Sequence, residues 1–197
     1  MVITNKQLKR DILLSQGVQL LTQQGYHGTG LKEILDTVQI PKGSFYNYFA
    51  SKESYAAEVI QHYIDPFITQ LDKHLNSPGI DALSGLQNYF NELIVELENG
   101  GFKGGCLLGN LMGEIGDTSE LCQQSLQLAV HRYQSLLAKG LQKAQMEGTV
   151  RIDKNANNMA DLLVNTWQGA LLRMKVEQSA EPLKQCRHDL LDDYFRN

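Results

Sequence analysis

The chain is predicted to be all-helical, with about nine helices forming a small three-helix head and a larger helical body. Three observations carry the prediction. Apolar residues recur every three or four positions along most of the 197 residues, which is the spacing of one helix face. The two-residue alternation of a strand appears nowhere. Glycine, proline and asparagine stand where the periodic runs stop.

Residues 5 to 24 read as the first helix, with Leu8, Ile12, Leu13, Gly17, Leu20 and Leu21 on one stripe and Gly25 as its stop. Leu31, Ile34, Leu35 and Val38 mark a short second helix, and Thr29 stands before it, where a hydroxyl can cap backbone amides. Pro41 disfavours helical geometry at Ile40 and suits the first position of a new helix, so a tight turn should lead into a third helix at about 42 to 48. There Phe45 and Phe49 can face inward, which turns Lys42, Ser44, Tyr46, Asn47 and Tyr48 outward. Ser51 is placed to cap a fourth helix running through Tyr55, Val59, Tyr63 and Phe67, which Pro66 should bend or divide.

The linker Asn76-Ser-Pro-Gly79 precedes a fifth helix carrying Leu83, Leu86, Phe90, Leu93, Ile94 and Leu97. A glycine-rich segment ending at Cys106 leads into a sixth, Leu107 to Ile115. Ser119 opens a long helix to about Glu147, another runs from about Asn155 to Gln178, and Glu181-Pro182 begins the last, to about Phe195.

Two short helices, a tight turn and a second helix crowded with polar and aromatic groups make a helix-turn-helix, the geometry that places side chains in a DNA major groove. The residues Gly25-Tyr26, Thr29, Leu31, Ile34, Pro41 to Phe49 and Ser51-Lys-Glu53 resemble the DNA-binding domain of the TetR family of bacterial transcriptional regulators. The resemblance implies a DNA-binding domain at 1–50 and a ligand-binding and dimerisation domain at 51–197. It also implies a homodimer that acts as a repressor on a palindromic operator and responds to a small-molecule effector. Lys42, Ser44, Tyr46 and Asn47 would approach the major groove, while Thr29, Tyr48 and Lys52 would hold phosphates.

Composition agrees with a local rather than a bulk nucleic-acid contact. The net charge is −4, and residues 1–60 carry six Lys/Arg against five Asp/Glu while the remainder carries twelve against seventeen. No run approaches the roughly 18 to 20 apolar residues of a membrane span, and no leader pattern opens the chain. The expectation is a cytoplasmic protein. Cys106, Cys122 and Cys186 are far apart and lack metal-ligand spacing, so neither a disulfide framework, a metal nor a cofactor is expected.

A helix-turn-helix monomer reads too little DNA to be selective. The dimer contact is expected from the last two helices, through Leu163, Ala170, Leu171, Met174, Leu190 and Tyr194, with Gly169 allowing close approach. The family resemblance further implies a pocket inside the body, for which Tyr63, Phe67, Phe90, Met112, Tyr133 and Trp167 are candidates, although ordinary core packing is the commoner role of such residues.

Cys106 follows two glycines and opens a helix, where free amides and the positive end of the helix dipole favour an anion. The segment Gly105 to Leu111, with Glu114 after it, resembles a subgroup of the family that includes the repressor of N-ethylmaleimide reductase. That likeness implies an electrophile- or oxidant-sensing Cys106, with Lys175 of the penultimate helix also involved. The alternative is a reversible lipophilic ligand and a purely structural Cys106. A remote rival is an enzyme with Cys106 as nucleophile; it needs a general base, and none of the five histidines has a recognisable relation to that cysteine. No enzymatic activity is expected.

Overall fold

A computed structural model of the chain describes residues 5–39 and 41–197, and the side chains of Thr37 and Lys42 lie outside the described residues. The expected extended geometry at Ile40 therefore falls outside them too. Among the described residues the helices follow in this order: α1 (Asn5–Gly28), α2 (Leu31–Thr37), a 3-10 helix (Lys42–Asn47), α3 (Lys52–Leu75), α4 (Ala82–Asn99), α5 (Leu107–Ile115), α6 (Glu120–Met146), α7 (Ala156–Glu177), α8 (Glu181–Arg187) and a π-helix (His188–Tyr194). Extended pairing appears as one isolated bridge between Val150 and Arg196.

Two elements differ from expectation in winding. The third predicted helix is a 3-10 helix, a form favoured in short pieces that end after a turn or two. The last predicted helix divides into α8 and the π-helix. There the Arg187 guanidinium grips Asp192, five residues on, at 2.8 and 3.2 Å, and Gln87 of α4 also donates to Asp192 at 2.8 Å. An ion pair at five-residue spacing suits the wider helix.

The elements form two compact units, Met1–Asp65 with Cys106–Ala129, and Pro66–Gly105 with Val130–Asn197. Residue 50, the expected boundary, lies inside the first unit, which also takes in α5 and the start of α6. Helix α3 continues through Pro66, and the division between units falls directly before that proline.

In the first unit Leu13, Leu21, Ile34, Leu35, Phe45, Phe49 and Tyr55 form the core. The rings of Phe45, Phe49 and Tyr55 meet at 4.9 to 5.6 Å between centroids. Gly17 of α1 lets α3 approach, because a Cβ there would collide with the Tyr55 hydroxyl and Val59. That hydroxyl donates to the Leu13 carbonyl at 2.7 Å. Ser51 caps α3 by accepting from the Ser54 amide at 3.0 Å, as its position predicts.

The second unit is built on buried apolar faces of α4, α6, α7 and α8, including Leu86, Tyr89, Phe90, Leu137, Leu141, Leu163, Trp167 and Leu183. Fully burying one such side chain contributes about 1.5–3 kcal/mol. Asp81 caps α4 by accepting from the Ser84 amide at 2.9 Å and its hydroxyl at 2.7 Å, and these bonds hold the Asp81 carboxyl below its ordinary pKa. Asn155 caps α7 in the same way. Gly85 allows α4 to lie against the His74 carbonyl at the end of α3.

Candidate nucleic-acid interface

Within the 3-10 helix the aromatic residues divide by role. Phe45 is buried, while Tyr46 is 61% exposed and Asn47 is exposed beside it. Ser44 and Tyr48 are half-buried and line, with Lys9, Ile12, Val38, Gln39 and Pro41, a cleft of about 220 Å³. The side chain of Lys42 lies outside the described residues. A short polar stretch is thus presented on an aromatic base, with Arg10 over the Phe49 ring at 5.1 Å and paired with Glu58.

Two of the residues expected to hold phosphates are turned inward. Thr29 is fully buried, its hydroxyl donates to the Gly25 carbonyl at 2.7 Å, and the N-cap of α2 is Gly30 with no side-chain cap. Thr29 therefore neither caps α2 nor meets a phosphate; it closes the turn after α1. Lys52 donates to the Tyr26 carbonyl at 2.6 Å and stands 4.2 Å from that ring's centroid. Desolvation lowers its pKa, and the nearby Glu114 carboxylate opposes the shift. Lysine has three donors, so this bond leaves two for an outside anion.

The contact that sequence reasoning missed involves Glu114 of α5. Its carboxylate accepts from the backbone amides of Tyr26 and His27 at 2.7 and 2.6 Å. Only a fold that brings α5 to the end of α1 creates it.

Cys106 caps the N-terminus of α5 and is half-buried, whereas Cys122 and Cys186 are buried; none forms a disulfide. Burial pushes the Cys186 thiol up to about 11 and raises Cys122 as well. Gly104 and Gly105, at φ 79° and 69°, form the turn before Cys106. The Lys175 side chain lies against Gly105, its Cδ only 2.8 Å from where a Cβ would stand.

Of the residues expected to line a pocket, Tyr63 and Met112 belong to the first unit and Phe67, Phe90, Tyr133 and Trp167 to the second. Met112 is 41% exposed on α5, and the buried face of that short helix is taken by Leu107, Leu108, Leu111 and Ile115. Phe90 meets Trp167 edge-on at 4.8 Å, and Tyr89 joins Phe90 at 5.2 Å. The Tyr133 hydroxyl donates to that of Tyr89 at 3.0 Å. Tyr89 is the central member of this cluster and lies on the same buried stripe of α4 as Phe90.

The residues expected at the dimer contact divide by exposure. Leu163, Ala170, Leu171, Met174 and Leu190 are buried within the single chain, and Tyr194 alone of that set is exposed. Helix α7 carries apolar residues on two sides, and its intramolecular packing takes the denser one. Leu162, Leu172 and Val176 remain exposed on the other, in line with Gly169.

Residues 13–59 match the model of bacterial regulatory proteins of the tetR family, and residues 82–190 match that of the tetracyclin repressor-like C-terminal domain. The chain is 33% identical over 176 residues to the HTH-type transcriptional repressor DhaR of Mycobacterium sp. (strain GP1), covering 89% of this chain and 87% of that one. It is 30% identical over 175 residues to the HTH-type transcriptional repressor NemR of Escherichia coli (strain K12), covering 89% and 88%. The crystal structure of the reduced form of E. coli NemR superposes with a TM-score of 0.85 at 28% identity, covering 92% and 94%. No helix among the described residues is long and apolar enough to cross a membrane. With both halves matched and the helix-turn-helix in place, the chain belongs to the TetR family of bacterial regulatory proteins.

Proposed function

We propose that this protein is a homodimeric transcriptional repressor that holds a palindromic operator with two copies of its 3-10 helix and leaves when a small effector acts on the body. The observation that carries the reading is the division at residues 45–47: Phe45 is buried while Tyr46 and Asn47 are exposed. Lys42, Ser44, Tyr46 and Asn47 approach base edges, and Tyr48 and Lys52 meet phosphates. Residues 1–50 read DNA and residues 51–197 take the effector and dimerise. The outward stripe of α7, with Leu162, Gly169, Leu172 and Val176, is the surface for the second copy. The repressor sense follows the relatives named as repressors.

The effector is a reactive electrophile taken up at Cys106. With an enone, the Sγ–carbon bond forms at the β-carbon and the thiol proton ends on the α-carbon. Cys106 stands half-buried at the start of α5, and the Lys175 stem lies against Gly105. A second reading is favoured by the Tyr89, Phe90, Tyr133 and Trp167 cluster, which suits a reversible lipophilic ligand. Fluorescence anisotropy on DNA from upstream of the gene, at fixed salt, separates the two. Release of wild type but not of Cys106→Ser by an enone supports the thiol switch. Release of both moves the effector to the aromatic cluster, and binding that does not distinguish operator from scrambled DNA rejects the repressor.

A further inference from the structure

We propose that Glu114 is the positioning residue through which α5 sets the helix-turn-helix for operator binding, an inference that rests on the DNA-binding reading above. Helix α1 breaks at Gly25, which has φ 74° and ψ −179°. Backbone amides that follow such a break lose their helical acceptors and need others. Glu114 supplies them: Oε2 accepts from the Tyr26 amide at 2.7 Å and Oε1 from the His27 amide at 2.6 Å. Both bonds are charge-assisted, and so stronger than bonds between neutral groups. Gly25 serves the contact twice. It adopts the left-handed geometry readily, and any Cβ there would occupy the place of the Glu114 carboxylate.

The same peptide is held from its other end. The Tyr26 carbonyl accepts from Lys52, the first residue of α3, at 2.6 Å. Tyr26 is therefore bonded through its N–H to α5 and through its C=O to α3. Asn110, one turn before Glu114, donates to the Thr22 carbonyl at 3.3 Å, so α5 grips α1 on both sides of the break. Two residues, Thr29 and Gly30, separate α1 from α2, and the Thr29 hydroxyl is tied back to Gly25. The direction in which α2 and the 3-10 helix leave α1 is thus set where Glu114 acts. Cys106 caps the same α5, about 12 Å along a rigid helix from Glu114. A displacement at the start of α5 arrives at this contact.

The test uses the full-length protein with Glu114→Ala and Glu114→Gln, read in two ways. Amide hydrogen exchange at Tyr26 and His27 reports the contact itself, and anisotropy on operator and scrambled duplexes at fixed salt reports its consequence. In Glu114→Ala both amides exchange faster and the operator Kd rises about tenfold, which is about 1.4 kcal/mol of lost positioning. Scrambled DNA, held by phosphate contacts alone, changes less than about twofold. Glu114→Gln, which keeps one acceptor oxygen, falls between. Unchanged protection of the two amides, or unchanged operator affinity in a folded variant, overturns the proposal. If Glu114→Ala loses its helical circular dichroism, Glu114→Gln decides by the same readings. Wild type that binds operator and scrambled DNA alike rejects the DNA-binding reading instead, while the exchange data still report on Glu114.

Discussion

In the first unit, the bonds that fix one helix against another repeatedly end on backbone. Tyr55 donates to the Leu13 carbonyl, Lys52 to the Tyr26 carbonyl, and Glu114 accepts from two amides beyond the break in α1. The second unit has such bonds too, from Lys143 to the Leu75 carbonyl and from the Ala82 amide to Glu147, but adds to them side chains packed on side chains along long helices, as Phe90 on Trp167 and Tyr89 on Phe90 show. The difference follows from what each presents. A head that keeps one short helix polar and exposed adds directional bonds to its small aromatic core. A body with long amphipathic helices can rely on area.

The comparison predicts where substitutions act on stability and where on DNA reading. Trp167→Ala removes a large buried ring from the second unit and should cost about 3–5 kcal/mol in denaturant unfolding. A loss below about 1 kcal/mol would mean that the cluster is loosely packed and open to a ligand. Tyr55→Phe keeps the ring and deletes one buried hydroxyl, with an expected cost of about 1 kcal/mol. If directional bonds define the head, operator affinity should fall further than the change in thermal midpoint explains.

Asp81→Ala removes the α4 cap and should cost about 1 kcal/mol at pH 7. The folded Asp81 carboxyl is held below its ordinary value of 3.8, chiefly by the Ser84 amide. Its contribution is therefore present above that value and is lost as pH falls through the lower folded one. Acid titration of unfolding should show the difference between wild type and variant shrinking below about pH 4. Tyr46→Ala is expected to change stability by no more than about 0.5 kcal/mol, because the side chain is exposed. It should nonetheless weaken operator binding; equal losses on operator and scrambled DNA would assign Tyr46 to phosphate contact rather than base reading.

The predicted cap at Ser51, the helix starts at about Asn155 and Glu181 and the stops at Gly25 and Gly148 match the structure because caps, starts and stops act within a few residues. The inward turn of Phe45 and Phe49 was legible for the same reason, being a matter of spacing along one short segment. The Thr29 cap expected for α2 does not form, because the hydroxyl's partner is the Gly25 carbonyl, and no side-chain pattern records a carbonyl; the Lys52 bond to the Tyr26 carbonyl is hidden for the same reason. Helix α7 offered apolar residues on two sides, and periodicity alone does not rank them.

By itself the sequence determined the order of the helices, the helix-turn-helix and the family, since each depends on local spacing and on motifs contiguous in the chain. Tertiary structure alone decided which side of α7 faces inward and which residues surround Trp167. It also brought α5, 88 positions along the chain from Tyr26, to close the break in α1. The physical reason is that a carboxylate bound to backbone amides can sit at any sequence separation. Its geometry is set by packing, and packing is settled only when the whole chain has folded.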